Sequence, residues 1–432
     1  MIVYVYIAVL VISLLNLSTT LRFKQRWQRS AAHDRSHYGF DIGVDLGVMS
    51  MAACIMGIGL VMVFSASYTK SNQEFGVPYY FLKKQAIFIM LGLVIMWVTS
   101  HINYRFWKPS SVTFWLLSWF GLLLVFVNGR SIKGAKRWLD LGFTNLQPVE
   151  LVKVALILAA CRVVSDLSTD PVTGLWAKLL RVAPLIGLAM IPAITLLFQP
   201  DYGSVLIMIT IAFTAYFLVG GAYLALLYTA IGGGVLGVVM VMLLKADHIT
   251  KRITDYLAMR VGDKEPDYNI LQALVSFGSG QVTGQGIGRS SQRNFFLPEA
   301  HTDFIFDIYG EETGLLGVLL LVTLYFMIFR RGLAIARRAP TAFGGLVASI
   351  ISLLFFTQAL INMMMAIGLL PAKGLTLPLM SYGGSSLIIV CAMLGILLNI
   401  SRRPSPLPDD HPLMRFGNMI DITQKLNRGA RT

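Results

Sequence analysis

The stretch that decides the fold runs from Val44 to Ser67 and reads VDLGVMSMAACIMGIGLVMVFSAS, with Asp45 as its single charged residue. A membrane-spanning helix needs about 20 largely apolar residues, because the bilayer core holds no water to satisfy backbone groups outside a helix. This stretch meets that requirement. It therefore predicts a membrane span, and the rest of the chain repeats the pattern.

Further apolar stretches of similar length cover approximately residues 83–100, 111–128, 149–166, 183–199, 203–220, 222–245, 304–329, 341–366 and 383–400. Glycine or proline interrupts several of them, notably at Pro192, between Gly232 and Gly234, and between Gly368 and Pro378. Such interruptions indicate broken or kinked helices that line a cavity. The predicted fold is an all-α polytopic membrane protein with about ten core transmembrane helices.

Composition agrees with this prediction. Of 432 residues, 56% are apolar and 13% are charged, and the mean hydropathy is +0.68, which excludes an ordinary soluble enzyme and a disordered chain. The 36 Lys and Arg residues exceed the 22 Asp and Glu residues by 14. That excess fits nucleic acid, acidic lipid, an anionic substrate or cytoplasmic loops. Since no nucleic-acid motif is present, we expect membrane lipids as partners and no nucleic acid.

The positions of the basic residues predict the orientation. They fall mostly in alternate connections and in both flanking segments, as the cytoplasmic side of a membrane protein requires. We therefore expect an N-terminal extension at 1–43, a membrane domain at 44–400 and a cytoplasmic tail at 401–432. Within the extension, the apolar residues 2–18 either form an additional span or precede a true start further downstream. A cleaved signal peptide is not expected, because a basic start and a small-residue cleavage site are missing.

The longest polar connection covers residues 246–303, on the outer side by this orientation. Five glycines occur between Gly278 and Gly288. A dinucleotide-binding loop would need a preceding strand, which is not predicted here. We therefore expect a mobile or tightly turning outer loop.

Carboxylates follow this loop, where PEAHTDFIF occupies residues 298–306. Asp303 is either the N-cap of the next helix or a chemically active carboxylate at the membrane rim. Asp307 and Glu311 continue at intervals of four residues, which predicts a carboxylate stripe along one helical face.

Polar residues also mark two other outer connections. Lys136 and Arg137 form a basic cluster beside Trp138, suited to a pyrophosphate or a carboxylate. Glu150 and Lys153, three residues apart, are expected to form a structural ion pair inside the bundle.

Two further segments combine polar residues with proline and glycine. Gln199 and Asp201 lie in the short turn QPDYG, for which Asp in its usual turn position is the alternative reading. Lys373 and Ser381 lie in a stretch that reads KGLTLPLMSYGGSS and indicates a re-entrant segment, tolerated only where it lines a cavity.

At these motifs the chain resembles the SEDS family of polytopic membrane proteins (shape, elongation, division and sporulation) from about residue 44 to residue 400. Ala300 and the KGLTLP wording resemble the cell-division member more than the elongation member. The resemblance implies a peptidoglycan glycosyltransferase that polymerises lipid II, an undecaprenyl-pyrophosphate-linked disaccharide peptide. It implies septal synthesis on the outer, periplasmic face of the inner membrane. Asp307 departs from the family pattern of a small residue, and we expect it to contact solvent, or otherwise a metal or substrate.

The resemblance also implies roles for individual residues. Asp303 would be the catalytic base, while a divalent cation (Mg or Mn) remains an open cofactor. The expected substrate-binding residues are Lys136, Arg137, Gln199, Asp201, Glu299, His301, Lys373 and Ser381. Expected partners are a class B penicillin-binding protein transpeptidase and divisome proteins. Two other functions stay open: a lipid II flippase with Glu150 and Lys153 on its route, and a scaffold that recruits the transpeptidase to the division site.

Overall fold

The computed structural model is mostly helical and describes residues 44–132, 135–140, 142, 145–166, 175–218, 268–292, 300–370 and 374–402. Ten helices occur in these ranges: α1 Leu46–Phe75, α2 Tyr80–His101, α3 Tyr104–Asn128, α4 Pro148–Asp166, α5 Leu175–Phe198, α6 Tyr202–Leu218, α7 Tyr268–Gly280, α8 Ile305–Arg338, α9 Ala342–Ala366 and α10 Gly384–Ser401. The predicted segments 2–18 and 222–245 lie outside the described residues.

Six of the described helices are long and apolar enough to cross a membrane: α1, α2, α3, α8, α9 and α10. Shorter apolar helices cover Ala183–Phe198, Tyr202–Leu218 and Ile270–Gly280. The prediction of helices over the described apolar stretches is confirmed. The predicted span 149–166 is helix α4, whose four charged residues Glu150, Lys153, Arg162 and Asp166 set it apart from the six.

A small antiparallel sheet between α3 and α4 was not predicted. Its strands are β1 Gly129–Ile132, β2 Ala135–Asp140 and β3 Asn145–Leu146, in the order β1-β2-β3, with an irregularity in the β1–β2 register after Arg130. The hydroxyl of Ser385, at the start of α10, donates to the Asn145 carbonyl over 2.8 Å. The sheet is thereby fixed to the same end of the bundle as the start of α10.

Helix α8 is broken at Gly314, whose φ of 65° and ψ of −167° are not helical. Residues 281–286, beyond the end of α7, run alongside the break and replace the lost helical hydrogen bonds. The amides of Leu315 and Leu316 donate to the carbonyls of Gln281 and Val282 over 2.9 and 3.2 Å. A backbone that leaves the helix inside a membrane protein needs such partners, because lipid supplies none.

The stretch after residue 373 is re-entrant, as predicted. The Tyr325 hydroxyl, well inside α8, donates to the Pro378 carbonyl over 2.5 Å. A Cβ on Gly59, near the middle of α1, would lie 2.7 Å from the Met380 carbonyl oxygen. The segment therefore reaches deep between α1 and α8 before Tyr382 and Gly383 lead it back to α10.

Asn399 organises the opposite end of the bundle. Its Oδ1 accepts a hydrogen bond from the Tyr104 amide over 2.8 Å, and its Nδ2 donates to the Ser100 carbonyl over 2.8 Å. Helix ends leave backbone groups of this kind without partners. Asn399 thus closes the turn between α2 and α3. Nearby, Asp45 pairs with Arg331 over 2.8 Å and caps α1 by accepting from the Val48 amide.

Candidate functional site

Asp303 lies in the turn that leads into α8, at the end of the bundle that also carries the sheet. The N-cap position of α8 is Phe304, whose own side chain makes no capping hydrogen bond. Asp303 therefore lies one residue before the N-cap position, which Phe304 takes. The carboxylate of Asp303 is half-buried rather than sealed.

The re-entrant segment lies directly against the Asp303 carboxylate. A Cβ on Gly374 would lie 3.1 Å from Asp303 Oδ2 and 3.8 Å from Cγ, so only a residue without a side chain fits here at ordinary contact distances. Asn362, near the end of α9, donates from Nδ2 to the carbonyls of Asp303 and Leu375 over 3.0 and 2.6 Å. Three separate chain segments therefore meet at Asp303.

Aromatic side chains form one wall beside Asp303. The His301 ring lies 4.7 Å from Phe81 and 5.6 Å from Tyr382 between ring centres, and the Tyr382 amide donates to the His301 carbonyl over 3.0 Å. Burial, with a smaller contribution from Tyr80, raises the pKa of Tyr382 to about 12. Tyr382 therefore stays a neutral phenol at physiological pH.

The predicted site residue Ser381 lies below this wall. It is buried, and its hydroxyl accepts a hydrogen bond from the Leu377 amide over 2.8 Å. Its carbonyl also accepts from Gln85 Nε2 over 3.3 Å. These bonds shape the re-entrant turn that faces Asp303.

The predicted carboxylate stripe is only partly present. Asp303 precedes the helix, whereas Asp307 and Glu311 lie inside it and are both 0% exposed. Glu311 accepts from the Ser291 amide over 3.1 Å and from the hydroxyls of Ser290 and Ser291. It therefore anchors the glycine-rich loop, which turns tightly as predicted.

The expected solvent contact of Asp307 is wrong. This side chain is fully buried, and neither carboxylate oxygen has a hydrogen-bond partner among the described residues. The reason is that α7 folds back onto the first turns of α8, where the Phe277 ring lies 5.5 Å from the Phe306 ring. The sequence showed this region only as an outer loop.

Of the two basic residues in strand β2, one already binds backbone groups of the protein itself. Lys136 is exposed, whereas Arg137 donates from Nε to the Gln199 carbonyl over 3.2 Å and from Nη2 to the Pro200 carbonyl. Arg137 therefore joins the sheet to the turn between α5 and α6. This use of its donors leaves it poorly placed as an anion clamp.

The QPDYG turn is built from its own polar side chains. Gln199 is buried and donates from Nε2 to the Leu122 carbonyl over 2.9 Å. Asp201 accepts from the Ser204 hydroxyl over 2.7 Å and from the Ser204 amide over 3.4 Å. The turn reading of Asp201 agrees with this geometry, in which the carboxylate caps α6.

Glu150 and Lys153 form the predicted ion pair, with 2.8 Å between Lys153 Nζ and Glu150 Oε2. Both residues are buried in α4. Removing one partner of a buried ion pair strongly destabilises a protein, because the other charge is left without compensation. The two remaining predicted site residues, Glu299 and Lys373, lie outside the described residues.

Sequence reasoning missed two residues at this end of the bundle. Asn362 gave no signal, because its importance lies in contacts with residues distant in sequence. Lys84 follows Phe81 by three residues and so shares its helical face. Its Nζ lies 4.6 Å from the centre of the Tyr80 ring, and it forms no ion pair with a described carboxylate. Lys84 therefore brings an uncompensated positive charge next to the aromatic wall.

Within the described ranges, no three His, Cys, Asp or Glu side chains gather in an arrangement that could hold a metal ion. The described residues therefore do not fit a divalent cation held by protein side chains alone.

Spanning helices, a broken helix and a deep re-entrant segment converge on one carboxylate. These features define a multi-pass membrane protein with a polar site at one end of its bundle. The chain belongs to the SEDS family: the family model described as "Cell cycle protein", covering FtsW, RodA and SpoVE, matches residues 46–405.

Curated relatives include proteins named "Probable peptidoglycan glycosyltransferase FtsW". The Geobacter sulfurreducens protein is 38% identical over 361 residues, covering 83% of this chain and 95% of its own. The Escherichia coli protein is 37% identical over 351 residues, covering 80% of this chain and 83% of its own.

Solved structures show the same fold. A chain from "Structural coordination of polymerization and crosslinking by a peptidoglycan synthase complex" matches with a TM-score of 0.66 and 28% identity, covering 83% of this chain and 98% of that one. The Thermus thermophilus rod shape determining protein RodA matches with a TM-score of 0.59 and 27% identity, covering 84% and 97% of the two chains.

Proposed function

We propose that the protein is a peptidoglycan glycosyltransferase of the cell-division type, which polymerises lipid II into glycan strands. The observation that carries this proposal is the half-buried Asp303 carboxylate, held where α8, α9 and the re-entrant segment meet. The names of the curated relatives support the reaction class.

Asp303 acts as the general base in this reaction. It accepts the proton of a sugar hydroxyl on one lipid-linked substrate while the hydroxyl oxygen bonds to the anomeric carbon of the growing glycan. The bond from that carbon to the pyrophosphate oxygen breaks, and undecaprenyl pyrophosphate leaves with the bonding electrons. A positioned base contributes about 10² to 10⁴ in rate.

The leaving pyrophosphate needs a positive partner as its charge develops. Lys84 fits this role, because it shares the face of Phe81, which packs against His301 two residues before Asp303. Lys136 is an exposed cation at the same end. Arg137 supports the site indirectly, because it holds the turn between α5 and α6 in place.

Polymerisation by the purified protein tests the proposal. Wild-type protein in vesicles with labelled lipid II should form glycan chains, and Asp303→Asn should reduce the rate by about 10² or more. Asp140→Asn is the matched control, because Asp140 lies at the same end but pairs with Arg130 at the surface. A fully active Asp303→Asn variant would remove Asp303 from the mechanism, and wild-type protein without polymerase activity, alone and with its partner, would refute the function.

The buried Glu150–Lys153 pair supports a second candidate function, translocation of lipid II, since transporters keep charged pairs inside the bundle. Lys153→Met should then stop movement of labelled lipid II across vesicles, while Asp303→Asn should not. Loss of polymerisation with unchanged translocation in Asp303→Asn would assign the two functions to separate groups.

The site faces the periplasm at the division septum. Support for this orientation comes from the basic residues of the opposite end, among them Arg105, Lys108, Arg331 and Arg402, since such residues collect on the cytoplasmic side. The partner is a class B penicillin-binding protein transpeptidase within the divisome. The peptidoglycan synthase complex among the similar structures supports an assembly of this kind, and co-purification of the two proteins tests it.

A further inference from the structure

Asn362 makes an unusual pair of contacts for a residue inside a membrane helix. It is 1% exposed, and both of its amide hydrogens are used on main-chain oxygens from different segments. Nδ2 lies 3.0 Å from the Asp303 carbonyl and 2.6 Å from the Leu375 carbonyl. The side chain thus ties the entry of α8 to the re-entrant segment.

Neither carbonyl belongs to a regular helix. Asp303 precedes α8, and Leu375 lies in the irregular stretch that begins at Gly374. A buried carbonyl without a partner costs about 1–3 kcal/mol, so the two segments are held together where Asn362 can reach both. Gly374 then lies against the Asp303 carboxylate, within 3.1 Å of Oδ2 for a Cβ at that position.

The chemistry of the side chain explains why an asparagine stands here. A primary amide offers two N–H donors on one uncharged nitrogen. An aspartate of the same shape offers one donor when protonated and none when ionised, and a leucine of similar volume offers none. Only the amide can hold both carbonyls at once without adding a charge to a buried site.

We infer that Asn362 is a positioning residue for glycosyl transfer: it fixes the backbone of Asp303 against the Gly374–Leu375 segment and so aims the carboxylate at the attacking hydroxyl. This inference rests on the proposed function. Asn362 itself touches no reacting atom. Misplacing a catalytic group by about 1 Å can lower a rate about 100-fold, so the effect of losing Asn362 falls on kcat more than on KM.

The test uses two substitutions and a control in the full-length protein. Asn362→Leu removes both donors, and Asn362→Asp makes the number of donors depend on pH. Asn399→Leu is the control, because Asn399 is also buried and joins two backbone segments, but at the opposite end of the bundle. Polymerisation rates with labelled lipid II give kcat and KM, and hydrogen–deuterium exchange reports on residues 303–307 and 374–377.

We expect Asn362→Leu to lower kcat about 100-fold with KM within about threefold of the wild-type value. The activity of Asn362→Asp, divided by the wild-type activity at each pH, should rise as the pH falls from 8 to 5, because protonation restores one donor. The backbone amides of residues 303–307 and 374–377 should exchange hydrogen for deuterium faster in Asn362→Leu than in the wild type. Asn399→Leu should lower thermal stability without changing kcat. Its activity divided by the wild-type activity should be the same at each pH.

Two results would overturn the inference. One is an Asn362→Leu enzyme with wild-type kcat. The other is an Asn362→Asp to wild-type ratio that does not change with pH, which would give Asn362 a purely structural role. Wild-type protein without polymerase activity refutes the proposed function instead, and it does so separately, because hydrogen exchange measures the Asn362 contacts without any turnover.

Discussion

Asn399 and Asn362 are both buried in the bundle, near its opposite ends, and they use their amides differently. Asn399 donates from Nδ2 and accepts at Oδ1, so both polar groups of its amide serve the turn between α2 and α3. Asn362 spends both donors on carbonyls, and its Oδ1 has no hydrogen-bond partner among the described residues.

The difference extends to the neighbours of the two asparagines. Near Asp303, buried polar atoms without a hydrogen bond among the described residues include Gln85 Oε1 and both carboxylate oxygens of Asp307. At the Asn399 end, Arg402 Nε and Trp107 Nε1 are the corresponding atoms, but the helix-end groups are satisfied. Native proteins keep few such atoms, and those they keep often serve function. The Asn399 end closes a helix turn with both groups of its amide, whereas the Asp303 end keeps two buried carboxylate oxygens without a described partner.

The largest expected effect lies at the Asn399 end and concerns stability. Asn399→Leu leaves the Tyr104 amide and the Ser100 carbonyl without partners, so the free energy of unfolding should fall by about 2–4 kcal/mol. Thermal unfolding in detergent measures this loss. A fall in kcat as large as that of Asn362→Leu would contradict the division of roles between the two ends.

The next effect concerns rate at the Asp303 end. Gly374→Ala places a Cβ against Asp303 Oδ2, and the displaced carboxylate should lower kcat about 10- to 100-fold. Gly57→Ala is the control, because no atom lies within 4 Å of a Cβ there and alanine favours the helix. If both variants polymerised lipid II equally fast, the close fit at Gly374 would have no catalytic meaning.

A smaller effect separates two adjacent lysines of α2. Lys84→Gln should weaken lipid II turnover about 10-fold, which corresponds to the lower end of the about 1.5–3 kcal/mol that a charge-assisted hydrogen bond contributes. Lys83 stacks on Tyr79 in the same way, 4.6 Å from the ring centre, but it lies two residues from Phe81 and so points to another face. Lys83→Gln should therefore change the rate less than twofold, and equal losses in both variants would indicate a general surface charge effect.

The smallest effect is expected for Arg331→Gln. Its ion pair with Asp45 is half exposed on the arginine side, and exposed pairs contribute about 0–1 kcal/mol. The shift in the unfolding midpoint should be within a few degrees, with unchanged polymerisation. A loss of activity would show that the two ends of the bundle are coupled.

The sequence predicted the features that depend on nearby residues. The spans follow from apolar length, the Glu150–Lys153 pair from helical spacing, and the re-entrant segment from its prolines and glycines between apolar runs. The sheet escaped prediction because its strands, of four, six and two residues, are too short to show an alternating pattern.

Features that depend on distant residues could not be predicted. The burial of Asp307 needs α7 to fold back onto α8, and the importance of Asn362 needs Leu375 and Asp303 to meet. Arg137 looked suited to bind an anion, and only the fold brings the Gln199 and Pro200 carbonyls to its donors. Identifying Asp303 as the central carboxylate rested on motif resemblance, because sequence spacing alone also allowed an N-cap.

The break at Gly314 divides α8 into two mechanical parts. The portion before it, Ile305 to Thr313, is held sideways by the loop through Gln285 and Gly286, whose amides donate to the carbonyls of Glu311 and Glu312 over 3.0 Å each. The portion after it carries the long apolar run. Pulled out of a bilayer from its C-terminal side, this helix would yield in two force steps, and the second would release the turn that holds Asp303.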